Sequence, residues 1–299
     1  QLLSNGRYNV MVTNAGGGYS RWKNIALTRW REDCTCDNWG TFCYIRDLDT
    51  DAYWSASFQP SLKEGDNYEA VFSQGRAEFR RRDFALETHT EIVVSPEDDI
   101  ELRRVHITNR SRKKRIIEIT SYAEVVLATA SSDEAHPAFS NLFVQTKIIE
   151  QRHAIVCTRR PRSLDEQPPW MFHLMKVHDA VVENITYETD RDQFIGRGNT
   201  INAPRVLQQK NALSGSSGSV LDPVISIQYR IVIEPQKTAI VDMIFGVAET
   251  KEGCNILVEK YQDRFLTNRV LELVWTHSQV ILRQINATEA DAQLFSRLA

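Results

Sequence analysis

The sequence predicts a mostly β protein, a large antiparallel β-sandwich followed by C-terminal helices. Three observations carry this. Apolar and polar residues alternate over 84–94, 100–108 and 116–126, the two-residue period of a half-buried strand. The connections hold Gly, Pro, Asn and Asp, as in Ser95-Pro-Glu-Asp-Asp99 and Glu64-Gly-Asp-Asn67. No helical period of useful length interrupts the strands before residue 250. Many short strands without intervening helices argue for antiparallel sheets packed face to face.

Further strands are expected at 142–149, 154–158, 170–177, 224–233 and 238–247. Residues 130–139 are polar and contain Pro137, so they read as a long loop, and Ser214-Gly-Ser-Ser-Gly-Ser219 reads as a solvated turn. The basic run Arg110-Ser-Arg-Lys-Lys-Arg115 lies between two strands and reads as a hairpin tip, while Arg80, Arg81 and Arg82 flank a strand end. After Thr250, a suitable N-cap, the period becomes helical. Ile256, Leu257, Tyr261 and Phe265 fit one helix, and Val270, Leu273, Val274, Ile281 and Ile285 fit a second. Thr288 and Asp291 form a capping-box pattern for a third. This divides the chain into a sandwich over 1–250 and a helical linker over 251–299. The linker is too short for a core of its own, so part of its apolar face must cover something else.

Composition narrows the function classes. At 299 residues and 42% hydrophobic, the chain can bury a large core, as one big β domain or two average ones. The net charge of −3 gives no field favouring nucleic acid, and no aromatics adjoin the basic run. No apolar run approaches the ~20 residues of a membrane helix, and the start lacks a signal peptide's basic and apolar regions. Gln1 opens directly onto patterned sequence, which suggests an excised fragment. Five scattered cysteines point to reduced thiols and a cytoplasmic location. Cys34 and Cys36 are expected on one face of a strand with Cys43 near, but no fourth ligand completes a zinc site. The triplets at Asn109, Asn184 and Asn286 fit the glycosylation pattern without a secretion signal to use it. Asp47, Asp49 and Asp51 imitate a calcium loop but lack its glycine and its final acid.

The segment Asn14-Ala-Gly-Gly-Gly-Tyr-Ser-Arg-Trp22 carries the first candidate contacts. Its glycines permit close approach of another chain segment or a ligand. Tyr19 and Trp22 offer rings to the apolar face of a pyranose, and Arg21 offers a donor fork to its hydroxyls. His89 and His106 fall within strand patterns, where a structural role is expected. His136 precedes Pro137 in the polar segment, so with Asp133 and Asn141 it is expected at the rim of a sugar-binding cleft. Glu32, Asp33, Asp133 and Glu134 are the most suggestively placed acids, yet no spacing identifies a catalytic pair, so no catalytic residue is assigned.

The blocks Leu2-Leu-Ser-Asn-Gly-Arg-Tyr8, Val12-Thr-Asn-Ala-Gly-Gly-Gly-Tyr-Ser-Arg-Trp22 and Thr28-Arg-Trp-Arg-Glu-Asp33 resemble the N-terminal domain of inverting β-glycoside phosphorylases. The resemblance extends to the phosphorylase-like region of cyclic β-1,2-glucan synthases. It continues at His136-Pro-Ala-Phe-Ser-Asn141, Phe194-Ile-Gly-Arg-Gly198, Leu221-Asp-Pro223 and Trp275-Thr-His-Ser-Gln279. It implies a galactose mutarotase-like supersandwich that is inactive alone and shapes the active site of an (α/α)6 barrel in the same parent chain. That barrel would supply the catalytic acid and most ligands for inorganic phosphate, which replaces water in the inverting mechanism. No cofactor is implied. A β-glucan or oligosaccharide ligand and a homodimer are, with any membrane anchor in other segments of the parent. His136-Pro137 stands where cellobiose phosphorylases carry a Gln-Arg pair near the acceptor sugar, and this departure fits a differently linked glucan. Two rivals remain: a free-standing carbohydrate-binding module, and a sugar epimerase-like enzyme with its own His and Glu pair.

Overall fold

Two antiparallel sheets carry the molecule, and a computed structural model describes residues 1–33, 35–161, 163, 166–209 and 212–298. The nine-stranded sheet runs in the order Leu2–Ser4, Tyr8–Val12, Gly18–Trp22, Ile25–Thr28, Arg115–Ala128, Pro223–Ile233, Val181–Asp190. Thr41–Asp47 also pairs with the first half of Arg115–Ala128 and carries the short strand Tyr53–Ser55 at its side. The eight-stranded sheet runs Val144–Ile149, Ala154–Arg159, Trp170–His178, Thr238–Ala248, Ile100–Asn109, Leu86–Val94, Arg76–Asp83, Asn67–Ser73.

Alternation along each strand sends one set of side chains into a shared core. Ile117, Ile119, Ala123 and Val125 face inward from one sheet, and Val105, Ile107, Met171, Met175, Val241 and Met243 from the other. Buried polar contacts fix the sheets in register. Ser20 Oγ donates to Glu101 Oε2 at 2.6 Å, Ser121 Oγ meets His173 Nε2 at 2.7 Å, and Tyr229 Oη donates to the Met175 carbonyl at 2.7 Å.

Helices lie against both outer faces. On the nine-stranded sheet sit α1 (Ala130–Ala135), α2 (Pro137–Asn141), α3 (Arg191–Ile195) and α4 (Arg205–Gln208). There Phe194, Ile195 and Leu207 pack on Phe42, Tyr44 and Tyr122. On the eight-stranded sheet sit α5 (Lys251–Lys260) and α6 (Arg264–Gln284), with α7 (Glu289–Leu298) beyond. Cys254, Val258, Tyr261, Val270 and Val274 bury Leu102, Phe172, Leu174 and Ile244. The buried Arg104–Asp242 pair anchors the start of α6: Asp242 accepts from Thr267, and Arg104 donates to Asn268.

The strands follow the expected pattern, but several connections differ. Residues 130–141 are two short helices, not a loop, because the Thr129 side chain caps α1 and Pro137 opens α2. The basic run 110–114 is an arch between sheets, not a hairpin tip, since Ile100–Asn109 and Arg115–Ala128 belong to different sheets. Arg80, Arg81 and Arg82 lie inside a strand, with Arg81 buried against Asp83. The first C-terminal helix is capped by Thr250 as expected but stops at Lys260. Asp263 caps a new helix there, so Phe265 belongs to α6 and is exposed. Cys34 lies outside the described residues, Cys36 is exposed in an irregular segment and not in the expected strand, and Cys43 is buried in a strand. Asn109 is fully buried, its amide donating to the Lys113 and Ile233 carbonyls.

The glycine run is explained by its own chain. A Cβ on Gly16 would lie 2.1 Å from Ser57 Oγ, and one on Gly17 would lie 2.2 Å from the Asp37 carbonyl. These glycines therefore admit neighbouring chain rather than a sugar.

Candidate functional site

The strand Gly18–Trp22 separates its aromatic residues by face. Its alternating burial puts Ser20 and Trp22 inward and Tyr19 and Arg21 outward. Trp22 is 5% exposed, its indole donates to Asp99 Oδ2 at 2.8 Å, and Lys23 covers its ring at 4.2 Å. Its faces are therefore closed to a sugar. Tyr19 instead meets the edge of Trp30 at 5.9 Å, with the Arg21 guanidinium 5.8 Å from the Tyr19 ring. Together with Arg31, Ala130 and Asp133 these residues line a small cavity of about 70 Å³. The Arg21 Nε on its wall is buried and has no hydrogen-bond partner among the described residues.

Beneath this cavity and the α1–α2 helices lies a buried ion cluster. Arg29 donates from Nη1 to Glu124 at 2.7 Å, and from Nε and Nη2 to both Asp133 oxygens at 3.1 and 3.0 Å. Its Nη2 also reaches Asn141 Oδ1 at 2.7 Å, and Asn141 passes the link to Asp222 at 2.8 Å. Arg31 adds a 2.8 Å bond to Asp133. Arg191 donates to Glu124 at 2.8 Å, and the Tyr122 hydroxyl donates to the same Glu124 oxygen at 2.9 Å.

Three guanidiniums thus balance three carboxylates. Burial, reinforced by the Glu124 charge, pushes the Asp222 carboxyl above its ordinary value. Burial works to depress Arg29 and Arg191, but the surrounding carboxylates outweigh it and hold both above the usual arginine value. Such a cluster is a rigid support, since removing the central Arg29 leaves the buried Glu124 and Asp133 with fewer counter-charges. Every carboxylate in it is engaged by a guanidinium, so it offers no free acid–base pair.

The sequence-predicted residues are therefore divided: Trp22 faces the core, and the others lie on the outer side of the nine-stranded sheet. Tyr19, Arg21 and Asp133 meet at the small cavity. Asp133 and Asn141 are buried in the ion cluster, where they hold the helices. His136 is exposed at the junction of α1 and α2, its carbonyl accepting from Ser140. It lies outside the cavity lining. Exposed Phe139 stands beside it, edge-on to Phe143 at 5.1 Å. Glu124 and Arg191 escape the sequence reading, the first as one charged residue within a strand and the second within a short helix. Arg29, Asn141 and Asp222 each stand in a different block of the family resemblance, and the cluster is where those blocks meet. Among the described residues, no group of three or more His, Cys, Asp or Glu is arranged to hold a metal, and no helix is long and apolar enough to cross a membrane.

Two antiparallel sheets with helices on both outer faces define a large β-sandwich domain. Its family is more specific: residues 1–264 match the supersandwich domain of glycosyl hydrolase family 94, and the chain belongs to that family. The chain is 35% identical over 297 residues to the cyclic beta-(1,2)-glucan synthase NdvB of Rhizobium meliloti (strain 1021), covering 99% of this chain and 10% of the synthase. It is 24% identical to an N,N'-diacetylchitobiose phosphorylase of Vibrio furnissii over 87% of this chain and 32% of the relative. For a solabiose phosphorylase of Paenibacillus borealis the identity is 23%, over 73% of this chain and 27% of the relative. The chain therefore spans a tenth to a third of the length of these relatives. A bacterial glucoamylase complexed with acarbose aligns over 96% of this chain and 38% of its own, with a TM-score of 0.54 at 6% identity, a likeness of fold alone.

Proposed function

We propose that this domain is a non-catalytic part of a β-glucan phosphorylase or cyclic β-1,2-glucan synthase, where it shapes the sugar-binding cleft. The observation carrying this reading is the convergence of three sequence blocks on the Arg29 cluster, which holds the α1–α2 helices rigidly and presents His136 at their junction. His136 offers a donor or acceptor to an acceptor-sugar hydroxyl. The outward-facing Arg21 guanidinium, with Tyr19 beside it, suits a hydroxyl at the cavity mouth. Asp133 and Asn141 act through the helices they fix, and Trp22 through the core. In this reading the chemistry, with inorganic phosphate as co-substrate and no organic cofactor, belongs to a barrel elsewhere in the parent. The domain packs against that barrel and helps form a dimer on the cytoplasmic side.

The test has two arms. The isolated chain, given β-1,2-gluco-oligosaccharides and phosphate, should release no glucose 1-phosphate, and turnover of roughly one per second or more would overturn the reading. His136→Ala in the full-length parent should raise the acceptor KM severalfold while kcat and folding stability hold. Unchanged acceptor kinetics would remove His136 from the cleft.

A further inference from the structure

Two roomier concavities lie on the opposite sheet. α5 and α6 cover part of the outer face of the eight-stranded sheet, and two grooves of about 570 and 670 Å³ remain open on it. Both fall in the ~300–1,000 Å³ range of small-molecule sites, whereas the 70 Å³ cavity beside Tyr19 does not. One groove runs beneath Trp275 of α6, which is 65% exposed, and is floored by Gln74, Arg76, Glu78 and Glu91. The other continues past His89 and His106, stacked 5.8 Å apart, to Arg80 and Arg82.

The floor is preorganised. Arg76 donates to Glu91 at 2.6 Å, His106 lies 3.5 Å from the same carboxylate, and Glu78 takes His89 at 2.9 Å and Arg80 at 3.3 Å. The His106 contact, with Arg76 and His89 behind it, holds Glu91 below the usual carboxylate range against the effect of burial. Because Glu78 and Glu91 both have basic partners, a cationic ligand gains little here. A neutral polyhydroxylated one finds both donors and acceptors, with an open indole for its apolar face. Arg76, Glu78, Arg80 and Arg82 share one strand face, a row on the order of 20 Å long, which suits several sugar units.

We propose that this face is a second oligosaccharide site, with Trp275 as stacking platform and Arg76, Glu78 and Glu91 as hydroxyl partners. It rests on the sugar-handling reading above but uses the other sheet, so the two are separable. The probe is a linear β-1,2-glucohexaose titrated into this chain, followed by tryptophan fluorescence and by calorimetry. Saturable binding is expected, at least tenfold weaker in Trp275→Ala and in Arg76→Ala, and largely kept in Trp275→Phe, which retains a stacking ring. Wild-type affinity in Trp275→Ala would overturn the inference, and loss of binding in His136→Ala alone would assign the sugar to the other sheet. Absence of saturable binding up to about 20 mM hexaose, beyond the weak end of specific recognition, would also overturn it, leaving the acceptor kinetics of the parent to judge the first reading.

Discussion

Between the sheets, the His173 imidazole lies flat on Phe245, with centroids 4.0 Å apart and planes within 4°. The Ile244 carbonyl can only accept, so Nδ1 carries the proton and Nε2 accepts from Ser121. Complete burial pushes this group down to about 3, with the Ile244 contact opposing only weakly. The unfolded chain takes up a proton near the ordinary value of 6.5 while the folded one does not. Its contribution is therefore complete above pH 6.5 and is lost as pH falls toward about 3, at ~1.4 kcal/mol per pH unit for one proton. Urea unfolding of wild type and His173→Gln should give a stability difference that is flat above pH 6.5 and declines below it. A difference independent of pH across that window would show that His173 titrates normally.

At the level of elements, the α1–α2 pair depends on Arg29 more than on its own helices, which at six and five residues are too short to stand alone. Arg29→Met leaves Asp133 and Glu124 buried with fewer counter-charges, so a loss of ~3–5 kcal/mol is expected in urea unfolding, with amide exchange rising first in residues 130–141. Arg29→Lys keeps the charge but loses the fork that spans both Asp133 oxygens, and should fall between. A variant as stable as wild type would mean the cluster is dispensable. The strands were legible because their period is local, and the caps at Thr250 and Thr288 because a cap is a neighbouring-residue event. The helices of 130–141 were hidden because one turn displays no period. The sheet assignment around the 110–114 arch was hidden because alternation says a residue is in a strand but not which strand lies beside it. The ion cluster joins residues about a hundred positions apart, so only the likeness to a known family pointed toward Arg29 and Asp222, while Asp133 and Asn141 were expected as sugar contacts and not as parts of a buried cluster.

Over the whole molecule, the C-terminal helices stand out for the large apolar side chains they expose. Ile281 and Ile285 of the α6 region and Leu294 and Phe295 of α7 are all exposed, while Val270, Val274 and Leu282 are buried. Sedimentation of the chain should show concentration-dependent self-association, and Ile281→Asp with Phe295→Asp should return it to a monomer. A monomer at every concentration would mean these side chains need no cover. The sheet order bears on something else, the moment of synthesis. Ile100–Asn109 is flanked by Leu86–Val94, available at once, and by Thr238–Ala248, which lies more than a hundred residues later. Trp170–His178 waits for that same late strand. Until residue 248 has left the ribosome, the eight-stranded sheet is two half-sheets with raw edges, each a template for strands of another nascent chain. The last strand made is thus a keystone, and a chain cut short before it should accumulate as aggregate rather than as a smaller folded domain.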